Sequence, residues 1–112
     1  MAFKESIDKR IQAVSASWKD ITSKKMFGGV CYLTAGNMFC GVYKDWLILR
    51  LSPVEGERAL ESTHSRPFDI TGRPMKGWVM MDEAGFQTDE ELGKWMTSAA
   101  EYARNLPQKK KR

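Results

Sequence analysis

At 112 residues, with 42% hydrophobic and 29% charged residues, the chain has the size and composition of one folded domain with a single two-layer core. Its net charge of +4 resides in Lys109, Lys110, Lys111 and Arg112, so residues 1–108 sum to zero and the body is not a basic, phosphate-coating domain. No stretch approaches the length of a transmembrane helix, and the charged, periodic N-terminus lacks the apolar run of a secretion signal; a cytoplasmic protein is expected.

Phe3, Ile7, Ile11 and Val14 recur at helical spacing with Lys4, Asp8 and Arg10 between them, which predicts an amphipathic helix lying on a sheet. Trp18 and Ile21 either extend its apolar stripe or pack in the link that follows. From Lys25 to Leu51 the residues read as three antiparallel strands, with two-residue turns at Gly36-Asn37 and Lys44-Asp45. Strict alternation then places Phe27, Cys31, Leu33, Met38, Cys40, Val42, Leu47, Leu49 and Leu51 on a core face. The opposite face receives Met26, Val30, Tyr32, Phe39, Tyr43, Trp46, Ile48 and Arg50, with Tyr43 opposite Trp46 and Phe39 opposite Arg50. That second face is too aromatic for plain solvent and reads as an interaction surface. Cys31 and Cys40 fall on one face as neighbours, and in a reducing compartment they are expected to be free, small core residues.

Ser52-Pro53-Val54-Glu55 places a capping serine before a proline at the first helical position, so a second helix starts there; it is short, because Ser62-Thr63-His64-Ser65 reads as loop. Residues 66–82 predict a second, looser hairpin around Thr71-Gly72, with Pro67 and Pro74 confining its first arm to a sheet edge. Thr88-Asp89-Glu90-Glu91 is a capping box, and Leu92, Trp95, Met96, Ala99, Tyr102, Ala103 and Leu106 form the stripe of a third helix closed by Pro107. The order is α-β-β-β-α-β-β-α: an α+β domain over residues 1–107 with its helices on one face of an antiparallel sheet, followed by a disordered basic tail at 108–112.

Catalytic chemistry finds little support. One histidine and two core cysteines do not make a metal site, and His64 would have to serve every candidate nucleophile as base. The glycine pairs match no phosphate-binding fingerprint, and the carboxylates sit mostly in helix first turns, where capping explains them. Arg66, Asp69, Arg73 and Lys76 crowd a turn beside Trp78, as they would to grip an anion or an acidic partner; the plainer reading pairs Asp69 with a neighbouring arginine and leaves the rest solvated. The aromatic face with Arg50 resembles platforms that stack single-stranded bases, but its surround has few cations.

Four ordered motifs carry a resemblance: Lys25 to Val30 (KMFGGV), Met38-Phe39 with Gly41 to Lys44 (GVYK), Leu47 to Ser52 (LILRLS) and Arg73 to Val79 (RPMKGWV). Over about Lys25 to Pro107 the chain resembles the N-terminal domain of the TfoX/Sxy family, named for bacterial regulators of natural competence. The resemblance implies a fold similar to secretion chaperones and the same element order. It implies co-regulation of transcription beside a cyclic-AMP-responsive activator, though those regulators carry a second, C-terminal domain with no counterpart in these 112 residues. It brings no catalytic residues and no cofactor.

The expectation is therefore a non-enzymatic regulatory interaction domain. It would pair with a second copy, a protein partner or both through Phe39, Tyr43, Trp46 and Arg50, supported by Tyr32 and Ile48. On this reading Phe39→Asp or Trp46→Asp breaks association and spares the core. The alternatives are a nucleic-acid accessory module using the tail Lys109 to Arg112, and a small ligand-binding protein or enzyme at the second hairpin.

Overall fold

Why this chain folds as a helix-covered sheet is plainest in its strand pairing. The computed structural model describes residues 4–26, 28–68 and 77–105. Helix α1 (Glu5–Val14) leads into strands β1 (Ile21–Met26), β2 (Gly29–Thr34), β3 (Asn37–Tyr43) and β4 (Trp46–Arg50). Helix α2 (Pro53–Leu60), strands β5 (Ser65–Pro67) and β6 (Trp78–Met81), a 3-10 turn at Glu83–Phe86 and helix α3 (Asp89–Arg104) follow. All pairings are antiparallel, in the order β1-β2-β3-β4-β6-β5. The α+β class and the α-β-β-β-α-β-β-α plan are those expected, with one strand more at the start of the sheet. Asp20, at φ 63°, turns the chain after Trp18, and residues 21–26 then pair with β2 instead of forming a link.

The helix ends follow the local chemistry. Ser52 accepts the Glu55 amide at the start of α2, and Thr88 and Glu91 form a reciprocal capping box at the start of α3. The first arm of the second hairpin, β5, lies at the sheet edge as its proline requires. Asn37, expected in a turn, is buried instead, and its Nδ2 donates to the Ala103 carbonyl at 3.2 Å, satisfying one of the last free carbonyls of α3.

Two features of the first hairpin depart from the expected register, and one of them overturns part of the face assignment. Its turn is Ala35-Gly36, with φ of 53° and 79°, so Thr34 faces Asn37 and Leu33 faces Met38. Moving the turn by one residue on each side would leave the faces as expected. The second feature does not. Tyr32 pairs with Cys40, so Phe39 is an extra residue in β3, a bulge that exchanges the faces of β2 relative to the rest of β3. Tyr32 and Phe39, expected on the open face, are therefore buried on the helix side at 4% and 0% exposure. Cys31, Leu33 and Met38, expected in the core, share the opposite face with Gly41 and Ile48. Cys31 and Cys40 consequently lie on opposite faces, both free and both buried. Phe27 lies outside the described residues.

The core joins Ile7 and Ile11 of α1, Ala59 of α2 and Leu92, Met96, Ala99 and Ala103 of α3 to Val30, Tyr32, Phe39, Cys40, Val42, Leu47, Leu49 and Leu51 of the sheet. Trp18 does not prolong α1; it stacks on Phe39 with ring centroids 6.0 Å apart. Arg10 ties α1 to the entry of α3, with Nη2 donating to the Phe86 carbonyl at 2.8 Å and Nε to Asp89 at 3.1 Å.

Tyr32 carries a pH signature. Its hydroxyl donates to Asp8 Oδ1 at 2.5 Å, and burial, followed by that hydrogen bond and the carboxylate charge, pushes its ionisation above the usual value near 10. The folded state holds the neutral phenol, so this stabilisation is complete below pH about 10 and is lost as the pH rises further and the unfolded chain ionises. Burial raises both cysteine thiols, which adds loss in the same alkaline direction. Tyr32→Phe should cost about 1–3 kcal/mol at neutral pH, with a stability gap to wild type that narrows above pH about 10. Urea melts at the two pH values check this; a constant gap would remove Tyr32 from the alkaline response.

Candidate functional site

The face opposite the helices is built by β4 and β6, whose register sets Ile48 against Met80 and Arg50 against Trp78, while Tyr43 stands opposite Trp46 as expected. Arg66 of β5 faces Met80 and so joins the same surface. Tyr43, Trp46, Arg50, Trp78 and Met80 are half-buried, Arg66 is exposed, and Ile48 is buried beneath them at 2%. Arg66 and Trp78 of the second hairpin thus share one sheet surface with Tyr43, Trp46, Ile48 and Arg50 of the expected aromatic face.

Cations lie over its rings. The Arg66 guanidinium reaches across β6 to sit 5.0 Å from the Trp46 ring centre, Arg50 sits 5.3 Å from Trp78 and 6.0 Å from Tyr102, and Lys44 sits 5.3 Å from Tyr43. Phe68 packs beside Trp78 at 5.9 Å. Arg50 therefore partners Trp78 and Tyr102, and the expected pair with Phe39 does not form. Each such contact is worth about 0.5–1 kcal/mol at an exposed site, so the set holds the side chains in place more than it holds the fold. Lys24 of β1 shares this face through its pairing with Cys31. The described strands carry Lys24, Lys25, Arg50 and Arg66 and not one carboxylate. Any charge this sheet presents is positive.

Asp69, Arg73 and Lys76 of the second hairpin, and Lys109, Lys110, Lys111 and Arg112 of the tail, lie outside the described residues. Leu33, Met38 and Met80 belong to the face and were not expected there. The first two follow from the bulge, and Met80 from β6 pairing with β4, a contact between segments far apart in sequence. His64 stands with Nδ1 3.3 Å from Asp82 Oδ1. Among the described residues no group of three His, Cys, Asp or Glu side chains converges as a metal site would require, and no helix is long and apolar enough to cross a membrane.

With fold and face described, comparison with known families is decisive on one point: the profile of the TfoX N-terminal domain matches residues 13–103. The chain belongs to the TfoX N-terminal domain family. No curated relative matches it. The motifs of this TfoX N-terminal domain now have physical roles. Gly41 of GVYK has no room for a side chain, since a Cβ there would lie 2.5 Å from the Val30 carbonyl oxygen. The leucines of LILRLS enter the core, its arginine lies over Trp78, and its serine caps α2. The glycine of RPMKGWV packs against α2 immediately before Trp78.

Proposed function

We propose that this chain is a regulatory, non-catalytic protein-interaction domain, and that its working surface is the sheet face carrying Tyr43, Trp46, Ile48, Arg50, Arg66 and Trp78. The observation that supports this reading is the gathering of half-buried aromatics and stacked cations on one face of a sheet whose described strands hold no carboxylate. Aromatic and arginine side chains are the usual anchors of protein interfaces. The uniform positive sign favours a partner that presents carboxylates over a second copy of the chain, which would bring Arg50 and Arg66 against the same charges. Regulation by contact without chemistry is also the mode that the family's competence regulators imply. A base-stacking platform requires open ring faces, and here Arg66 and Arg50 already lie over Trp46 and Trp78.

The test pairs solution mass with partner retention. Light scattering across a range of concentrations should return the monomer mass for wild type. A protein retained from cell extract by the immobilised chain should be lost with Trp46→Asp and with Arg66→Glu, both of which should stay folded, Trp46→Asp with a lowered melting temperature and Arg66→Glu with one near that of wild type. Retention unchanged by both substitutions would refute the assignment. A wild-type dimer split by Trp46→Asp would instead give the face to self-association.

A further inference from the structure

The open face is not the only surface prepared for a partner. β1 ends the sheet and, among the described residues, pairs only with β2. An antiparallel edge strand directs alternate N–H and C=O groups away from its sheet, where a further strand can take them up. The other edge, β5, is three residues long and contains Pro67, so it offers little to an incoming backbone. β1 is six residues long, has no proline, and exposes Thr22, Ser23, Lys24 and Lys25.

An edge bearing two lysines is commonly a guard against unwanted pairing. That reading leaves the space beside β1 unexplained. Between α1 and β1 lie two adjoining hollows of about 580 and 260 Å³ that share Gln12, Ser23 and Tyr32 in their walls. Together they form a groove that follows the strand from Lys25 back to Ile21. A helix flanking an unpaired strand across an open groove is the geometry in which an extended peptide adds to a sheet, its backbone pairing with the edge and alternate side chains entering the groove.

Charge selects the occupant. Lys25 on the strand and Lys9 on the helix border the groove, and Lys24 adds positive charge to the same edge strand with its side chain alternating to the other face; the lining carboxylates are Glu5 and Asp8, the latter accepting hydrogen bonds from Tyr32 and, at 2.8 Å, from Gln12. A second copy adding through its own β1 would bring two further lysines beside Lys24 and Lys25 on a strand without carboxylates, and like charges gathered across strands are destabilising. The chain's own QKKKR terminus carries the same sign. We infer that the groove between α1 and β1 receives an extended, acidic segment of another protein, which joins the sheet as a strand beside β1. The site is separate from the aromatic face and does not depend on the reading given to it.

Selection of short random peptides displayed on phage against the immobilised full chain tests this. Enriched peptides should be rich in Asp and Glu. The strongest binder, made synthetically, should shift the amide resonances of residues 21–26 and slow hydrogen exchange at alternate residues of β1. Lys24→Glu combined with Lys25→Glu should weaken that peptide about tenfold or more, and the melting temperature of the double variant shows that the loss is not unfolding. Three outcomes overturn the inference: no enrichment, enriched peptides without acidic bias, or an affinity indifferent to the double substitution. Shifts clustered at Trp46 and Trp78 would also overturn it while supporting the aromatic face as the docking surface, so the two assignments fail independently.

Discussion

Phe39→Ala should destabilise the chain by about 3–5 kcal/mol, and Phe39→Asp should prevent it from folding. Phe39 is 0% exposed, stacks on Trp18 and sits in the same cluster as Leu47, Leu49 and the inward face of α3. Removing the ring leaves a cavity whose walls belong to both layers, and a domain of this size has only about 5–15 kcal/mol in hand. A buried carboxylate in that place has no partner and would exceed what remains. Trp46→Ala removes a larger ring, yet from a half-buried position on the opposite face, and should cost no more than about 2 kcal/mol. Urea denaturation followed by circular dichroism measures both. Equal midpoints for Phe39→Ala and wild type would mean that Phe39 is not in the core. The order of the two losses matters for function as well, because a Phe39 variant that loses a partner reports on unfolding, whereas a Trp46 variant reports on the surface.

Why alternation misplaced Phe39 and Tyr32 but placed Trp46 and Arg50 correctly is a question of where the strand period is broken. β4 is short, follows a two-residue turn at Lys44-Asp45, and pairs with β3 without irregularity, so a period of two carries its faces faithfully from Trp46 to Arg50. β3 contains one extra residue at Phe39, flanked by Met38 and Cys40, and three consecutive apolar residues give no sign of which one is supernumerary. From that point every side chain of β2 changes sides. The helices were legible because their signals are local: Ser52 before Pro53, and Thr88 three residues before Glu91. β1 was missed because residues 22–25, Thr-Ser-Lys-Lys, have no apolar member to set a period; its strand character comes from pairing with β2. The meeting of Arg66 with Trp46 was equally invisible, since it requires β6 to lie between β4 and β5. Local chemistry is written in neighbouring residues, whereas the candidate face is assembled by non-local pairing.

Gly77→Ala should cost about 2–5 kcal/mol, and Gly56→Ala should also destabilise although alanine is favoured over glycine by about 1 kcal/mol inside a helix. Gly77 has φ +85°, in the region that L side chains avoid, and a Cβ there would stand 2.3 Å from the Leu51 carbonyl oxygen. The Leu51 amide in turn donates to the Gly77 carbonyl at 2.7 Å, so the two backbones are held in register and neither can retreat without breaking that bond. A Cβ on Gly56 of α2 would come within 2.7 Å of the Gly77 Cα. The end of β4, the middle of α2 and the entry to β6 therefore touch backbone to backbone, and a methyl group on either glycine must push them apart at about 1–3 kcal/mol for overpacking. Because both substitutions displace the backbone at Gly77, the double variant should lose less than the sum of the two, which a double-mutant cycle in urea measures. A stabilising Gly56→Ala, or strict additivity, would show that α2 and the β6 entry are not in contact. The displacement should also be visible at the candidate face. Gly77 precedes Trp78, whose ring lies under Arg50 and beside Phe68, so Gly77→Ala should change tryptophan emission even in the fraction that stays folded. If it does, the motif glycine links the packing of α2 to the position of Trp78 on the candidate face.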